Sequence, residues 1–303
     1  MQCPICNSSE LSVWAQATDA EYCTTADEAF SFYRCLNCCI LMLHPLPKDR
    51  LQVIYPTNYY SYAYSQGSFV FRIKMALEKQ WFRKMTRDLQ GTSLSALDVG
   101  GGAGWQLNGL RSADVRFSNT DIVDLDSAAK AQAQKNGHSY FCGGIENYTT
   151  DRRYDIILML NLIEHVESPI EVIRKAGSLL SPQGKILLKT PNIDSLDARL
   201  FRHRNWAGYH CPRHWVLFTK ESIERAVSAA GLTSHSITYT QGASFWAASV
   251  LFLLARVGIV SISAQRPVAY HPLFGLLTGA FAGFDFVRGF FSKTSQMFVV
   301  INK

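Results

Sequence analysis

Residues 96–104 read Ala-Leu-Asp-Val-Gly-Gly-Gly-Ala-Gly, an apolar stretch that runs straight into glycines. The pattern predicts a strand, a tight loop and then a helix. Gly100, Gly102 and Gly104 form G-x-G-x-G. Without a Cβ, such a loop can approach a ligand closely and take φ values closed to other residues. The dinucleotide fingerprint would need its third glycine at Trp105, which disfavours a pyrophosphate cradle. The loop also lacks the lysine of a phosphate-binding P-loop. Asp98, just before the glycines, can accept from a cationic amine. Asp121, at the expected end of the next strand, can accept from both hydroxyls of a ribose. Asp124 and Asp126 are close rivals, because the run DIVDLD blurs that strand end.

Working outward, strands are expected over 95–100, 115–121, 155–160, 185–190 and 297–302. Helices are expected over 127–136, from Pro169 to Leu180, and over 219–230, with a turn at 181–184. Strands alternating with helices of this length imply βαβ units and a parallel sheet.

The chain has 303 residues, enough for two domains or one large domain with an appendage. Hydrophobic residues at 48% against charged residues at 18% allow a sizeable core and exclude a disordered chain, a coiled coil or a collagen-like repeat. A net charge of +6 permits an anionic partner without requiring one. Three divisions follow: a cysteine-rich module over 1–43, a linker and basic helix over 44–90, and the α/β domain over 91–303. The linker carries Pro45, Pro47 and Pro56 with Tyr55, Tyr59, Tyr60, Tyr62 and Tyr64. Its helix places Val70, Ile73, Leu77, Trp81 and Met85 at helical spacing, with Arg72, Lys74, Lys79, Arg83, Lys84 and Arg87 around them.

Two apolar stretches lie within 243–291. The first is interrupted at Arg256 and falls short of the ~20 residues a membrane span needs. The second is broken by Asp285 and Arg288. A buried cap on the substrate side is the favoured expectation, with peripheral membrane contact through 243–291 as the alternative.

Cys3-Pro-Ile-Cys6 and Cys35-Leu-Asn-Cys38 are two CxxC pairs. Two such turns can bring four thiolates onto one tetrahedral zinc, and a site with four protein ligands is structural. Cys39 and Cys23 compete as ligands. The N-terminus, MQCPIC, lacks a basic region followed by an apolar run, so no secretory signal is expected. Eight cysteines then point to thiols and metal ligation in a reducing, cytoplasmic compartment.

Taken together, DVGGGAG, the Asp121 region, YDIILMLNLIEHVESP and SPQGKILLKTPN resemble the successive motifs of class I S-adenosylmethionine-dependent methyltransferases, over roughly residues 90–240. The N-terminal part, with YRCLNC, HPLP and the tyrosine run, resembles the zinc-binding module that precedes some of these enzymes in sugar, polysaccharide and natural-product pathways. The resemblance implies a doubly wound, mostly parallel, seven-stranded Rossmann-like sheet with a small N-terminal zinc ribbon and an apolar helical insertion. It implies that Asp98, Gly100, Gly102 and Gly104 wrap the methionine part of S-adenosylmethionine. Asp121 or Asp124 would bind the ribose, Gly144, Ile145 and Glu146 would flank the adenine, and Asn161 would line the methionine side.

Methyl transfer from a sulfonium is an in-line displacement. The protein must align the nucleophile and, for a hydroxyl or carbon acid, remove a proton. Histidine suits that work because it titrates near neutrality. His214, in the loop His210-Cys-Pro-Arg-His214, is the leading base, and Glu164-His165 the second candidate. Arg199, Arg202, Arg204 and Arg213 flank the loop and could clamp an anionic group. The expected acceptor is an oxygen, or less favourably a carbon, of a small molecule, with a sugar or lipid-linked saccharide preferred. A nucleic-acid methyltransferase ranks second, because no recognised nucleic-acid module is present. A non-catalytic cofactor-binding protein ranks third.

Overall fold

A computed structural model describes residues 1–25, 28–56 and 69–303, the side chains of 69–74 excepted. The expected roles of Tyr59, Tyr60, Tyr62 and Tyr64, and of the Val70, Arg72, Ile73 and Lys74 side chains, lie outside the described residues.

Three short strands come first: β1 (Leu11–Ala17), β2 (Phe30–Cys35) and β3 (Leu41–His44). In β2, Phe30 and Phe32 are buried while Ser31 and Tyr33 stand partly exposed, the period of two that a half-covered strand requires. Helices α1 (Leu51–Ile54) and α2 (Phe69–Thr86) follow. The central run is β4 (Leu94–Val99), α3 (Trp105–Ala113), β5 (Phe117–Asp124), α4 (Lys130–Lys135) and β6 (Ser139–Cys142). It continues through β7 (Tyr154–Leu160), α5 (Pro169–Ser178), β8 (Leu180–Pro191) and α6 (Leu196–Leu200). Then come β9 (Val216–Leu217), α7 (Lys220–Ala229), β10 (Thr233–Thr240), α8 (Ala243–Arg256), α9 (Pro272–Arg288) and β11 (Gln296–Asn302).

The large sheet has seven strands in the order β10-β11-β8-β7-β4-β5-β6. Strands β8, β7, β4, β5 and β6 pair in parallel, while β11 and β10 are antiparallel at one edge. This is the doubly wound, mostly parallel sheet that the alternation of elements predicts. Leu97, Ile157, Ile186 and Val299 stack across its centre, all fully buried. The apolar insertion falls between β10 and β11 as the helical pair α8 and α9. Among the described residues no helix is long and apolar enough to cross a membrane.

The N-terminal strands are not a separate bead. Their sheet has the order β1-β2-β3-β9, so its last strand comes from the loop region after α6. Phe30, Phe32, Leu41 and Leu43 share one buried cluster with Trp206, Tyr209 and Trp246. Burying each such side chain contributes about 1.5–3 kcal/mol, so this junction is a substantial part of the fold.

Four local expectations are corrected. Strand β5 runs on to Asp124 rather than stopping at Asp121, because Ile122 and Val123 are apolar and buried. Residues 181–184 do not form a free turn. They belong to β8 and produce an irregularity in its pairing with β7 between Tyr154 and Ile156. Helix α4 is shorter than expected, starting at Lys130. The buried stripe of α2 passes through Phe82, with Trp81 against Phe298 at 4.3 Å, whereas Leu77 is 61% exposed.

Candidate active site

The glycine loop leaves the carboxyl end of β4, where open parallel sheets bind their ligands. Gly100, Gly102 and Gly104 all have positive φ, at 76°, 49° and 80°. A Cβ on Gly104 would lie 2.3 Å from the His138 ring and one on Gly100 2.9 Å from Leu162, but one on Gly102 would meet nothing within 4 Å. The loop is therefore pinned at its two ends and open in its middle. Beneath it sits Asp98. Its carboxyl is buried, and among the described residues its Oδ2 has no hydrogen-bond partner. Burial, with the nearby Asp124 charge, holds the carboxyl well above the usual range. An unpaired buried carboxyl is costly. A cationic amine entering the open loop would remove that cost, so this donor set fits the ammonium end of S-adenosylmethionine.

The two rival acids separate in space. Asp121 lies three residues short of the strand end, where Tyr154 Oη and Arg152 each donate to its Oδ2 at 2.6 Å. Those bonds engage the Oδ2 of Asp121 within the fold. Asp124 ends β5. Its Oδ2 accepts from the Gly102 backbone N–H at 2.8 Å, and its Oδ1 from the Asp126 N–H at 2.8 Å. It therefore sits against the glycine loop itself, and burial raises its carboxyl above the usual range.

The other residues expected at the cofactor lie just after the neighbouring strands β6 and β7. The Gly143 N–H reaches the Asp124 carbonyl at 2.9 Å, which ties Gly144, the buried Ile145 and the exposed Glu146 to the end of β5. Asn161 follows β7 with a positive φ of 56°, and its Oδ1 accepts from Gln296 Nε2 at 3.5 Å.

Glu164, His165 and His214 come together although a fifty-residue stretch separates the last from the first two. Glu164 is fully buried: Oε2 accepts from Thr190 Oγ1 at 3.0 Å, while Oε1 lies 3.9 Å from His214 Nε2 with no hydrogen-bond partner among the described residues. Burial pushes the Glu164 carboxyl up to about 8. His214 Nδ1 lies 2.8 Å from the Gly208 carbonyl. A carbonyl only accepts, so the Nδ1 carries the proton and the lone pair sits on Nε2. Burial, reinforced by the neighbouring His165 and His210, holds His214 well below its ordinary value. His165 Nδ1 faces Tyr55 Oη at 2.9 Å and the Arg213 carbonyl at 3.1 Å, and burial pulls it down to about 3.

Two partners of this cluster, Glu21 and Tyr55, are not apparent from spacing. His210 packs on His214 with ring centroids 4.9 Å apart, and its Nδ1 lies 2.5 Å from Glu21 Oε2. Tyr55 enters from the linker. Of the four arginines expected to clamp an anion, two are engaged elsewhere. Arg213 is fully buried against Asp19 at 3.0 Å, and Arg202 lies over the Trp14 ring at 3.7 Å. Arg204 instead lines a groove of about 420 Å³ between the N-terminal strands and α8, with Phe252 and Ile262. That groove shares Ala17, Thr18 and Asn205 with the small hollow bounded by Glu21 and His210.

The cysteine pairs also converge. Cys3 Sγ and Cys38 Sγ are 3.4 Å apart, Cys6 Sγ and Cys35 Sγ 3.5 Å, and the four sulfurs lie within 4.8 Å of one another. Cys39 is outside this group, and Cys23 lies at Ile262, far along the chain. Four converging thiols at these separations fit a tetrahedral zinc, whose Zn–S bonds are about 2.3 Å.

The family described as "Methyltransferase domain" matches residues 73–237. The ubiquinone biosynthesis O-methyltransferase of Coxiella burnetii is 35% identical over 181 residues, which cover 58% of this chain and 68% of that protein. The enzyme of the same description from Rickettsia conorii is 31% identical over 122 residues, 39% of this chain and 41% of that protein, so the chain spans less than half the length of that relative. Among solved structures, coclaurine N-methyltransferase bound to N-methylheliamine and SAH superposes with a TM-score of 0.51 at 13% identity, over 85% of this chain and 81% of that one. That likeness shows the shared fold. With more than half of its length matched to the family, and a relative at 35% identity matched over two thirds of its own length, the chain belongs to the methyltransferase-domain family.

Proposed function

We propose that this chain transfers the methyl group of S-adenosylmethionine to an oxygen of a small molecule with an apolar body. One observation carries the cofactor half of this reading: the buried Asp98 carboxyl, whose Oδ2 has no partner among the described residues, beneath a glycine loop open at Gly102. In this reading Asp98 receives the ammonium, Asp124 the ribose, Gly144, Ile145 and Glu146 the adenine edge, and Asn161 the methionine side. The bound cofactor supplies an electrophilic methyl on a sulfonium. The protein's share is to hold the acceptor in line and take its proton. His214 is built for the second task, because the Gly208 carbonyl fixes the Nδ1–H tautomer and leaves Nε2 as the acceptor. Glu164, kept neutral by burial, borders the same atom, and His165 completes the wall.

The oxygen is favoured because the relatives are O-methyltransferases by name. Nothing among them supports the sugar or lipid-linked saccharide expected from the sequence. The groove beside Glu21 and His210, with Phe252, Ile262 and Arg204, supports an apolar body bearing a polar or anionic group. Cys3, Cys6, Cys35 and Cys38 hold a structural zinc in this proposal. A reducing, cytoplasmic setting, in which such thiols stay available to a metal, belongs to the same proposal.

A second reading has its own observation. Ligand atoms of Glu164, His165 and His214 lie within 4.8 Å of one another, and among the described residues Glu164 Oε1 has no hydrogen-bond partner. These residues would hold a divalent cation, which would acidify an acceptor hydroxyl bound to it.

Incubating the full chain with S-adenosylmethionine and two acceptor panels, alkylated phenols and nucleotide-sugars, tests the proposal. Mass spectrometry is expected to find a methyl ether on members of the first panel. Methylation confined to nitrogen, or to sugars, would contradict it. Repeating the assay in EDTA, then with added magnesium or zinc, separates the two readings of the histidine cluster.

A further inference from the structure

We propose that the outer face of α9, with the turn joining it to α8, docks on the surface of an anionic lipid bilayer. A helix on the surface of a water-soluble domain normally turns its apolar stripe inward and its charges outward. Helix α9 packs Phe274, Leu277 and Phe281 inward, yet its outward face is apolar as well. Its one acidic residue, Asp285, is fully buried. There its Oδ2 accepts from the Gly242 N–H at 2.9 Å and its Oδ1 pairs with Arg288 at 2.8 Å. Every exposed position from Pro272 to Phe291 is apolar or glycine. Leu276, Phe286, Val287, Phe290 and Phe291 are each 60% exposed or more. Among the described residues, twenty large hydrophobic side chains are exposed, and ten of them lie between Val257 and Phe291. Scattered exposed apolar residues need no explanation, but a concentration of this kind marks an interaction surface.

Charge selects the occupant. Asp285 is the only acidic side chain between 243 and 303, and it is buried, whereas Arg256 at the end of α8, Arg266 within the connection to α9 and Lys293 just beyond α9 are exposed. The exposed face of α9 is therefore apolar and the exposed charges of the segment are all cationic, which matches an acyl layer under anionic headgroups. A second copy of the same face would bring like charges together with no exposed carboxylate in the segment to meet them. Length sets the orientation. At 17 residues α9 is about 25 Å long, short of a ~30 Å hydrocarbon core, so it lies in the plane of the interface. This inference is independent of the proposed acceptor.

The full chain is mixed with vesicles of phosphatidylcholine, with and without phosphatidylglycerol, and floated on a density gradient. Wild type is expected to float with the anionic vesicles, and Phe286→Glu/Phe290→Glu to lose that partition by roughly tenfold or more. Leu276→Glu, at a separate exposed position, should weaken it in the same direction, and Arg256→Gln/Arg266→Gln should abolish the preference for anionic vesicles. Unchanged melting of each variant keeps the comparison about binding. Wild type that stays at the bottom of the gradient with both vesicle types overturns the proposal. So does light scattering that finds a stable dimer split into monomers by Phe286→Glu/Phe290→Glu.

Discussion

Glu21 Oε2 and His210 Nδ1 stand 2.5 Å apart, although 189 residues separate them in the chain. Behind them, Asp19 and Arg213 form a second, fully buried pair at 3.0 Å. The segment after β1 thus reaches into the loop that carries the candidate base, and the cysteine-rich part is built into the site rather than appended to it. Hydrogen bonds to charged groups in such buried positions are worth about 1–3 kcal/mol. Glu21→Gln should lower the melting temperature by several degrees and reduce methyl transfer, while S-adenosylhomocysteine affinity stays near wild type. Melting and turnover both unchanged would show the contact to be idle.

The acids at the glycine loop make a three-way test. Asp98→Ala should weaken S-adenosylhomocysteine binding by roughly 10- to 100-fold, as expected for a lost charge-assisted bond. Asp124→Ala should weaken it too, and also loosen the loop by freeing the Gly102 N–H. Asp121→Ala should destabilise the fold by removing the acceptor that Arg152 and Tyr154 share, while leaving affinity largely intact. Calorimetric titration of the three variants checks the order, and equal losses at Asp121 and Asp124 would reverse the assignment.

Much of this architecture is legible in residue order. The apolar run into Gly100, the DIILML strand and the turn at Gly231 each depend on neighbours in sequence, and each reads correctly. Thr219 closes a capping box with Ser222 at the start of α7, another local signal. The misreadings have a common physical origin in long-range packing. Whether Asp121 or Asp124 ends β5 depends on whether Ile122 and Val123 are covered, which the distant β6 and the helices decide. No spacing rule brings Glu21 or Tyr55 to the histidines. The apolar character of α9 is plain in its composition, but which face turns inward is set by long-range contacts such as the Gly242 N–H bond to Asp285 and the stacking of Phe281 on Trp246.

The histidine cluster gives stability a pH signature. Burial raises the Glu164 carboxyl to about 8, so the folded chain holds that proton more tightly than the unfolded chain does. Its contribution is present in acid and is lost as pH rises from the ordinary carboxylate range through about 8. His165 and His214 are lowered, so the unfolded chain takes up their protons first as pH falls below ~6.5, and stability declines on that side as well. Melting temperature should therefore peak near neutrality. Glu164→Gln should flatten the alkaline decline, and an unaltered profile in that variant would remove Glu164 as its cause.

The four clustered thiols predict metal-dependent integrity. Purified chain should contain close to one zinc, and Cys3→Ser or Cys38→Ser should lose it together with several degrees of melting temperature. Since β1–β3 pack against Trp206 and Tyr209, the loss should also blunt methyl transfer. Plasma emission spectrometry that finds no zinc in wild type would exclude the site.

The most direct measurement is calorimetric titration of the intact, folded chain with S-adenosylhomocysteine. A single saturable site of about one per chain is expected, with its heat largely abolished by Asp98→Ala. Folded wild-type protein that gives no heat, or heat that Asp98→Ala leaves untouched, would contradict the cofactor assignment from which the rest of the mechanism follows.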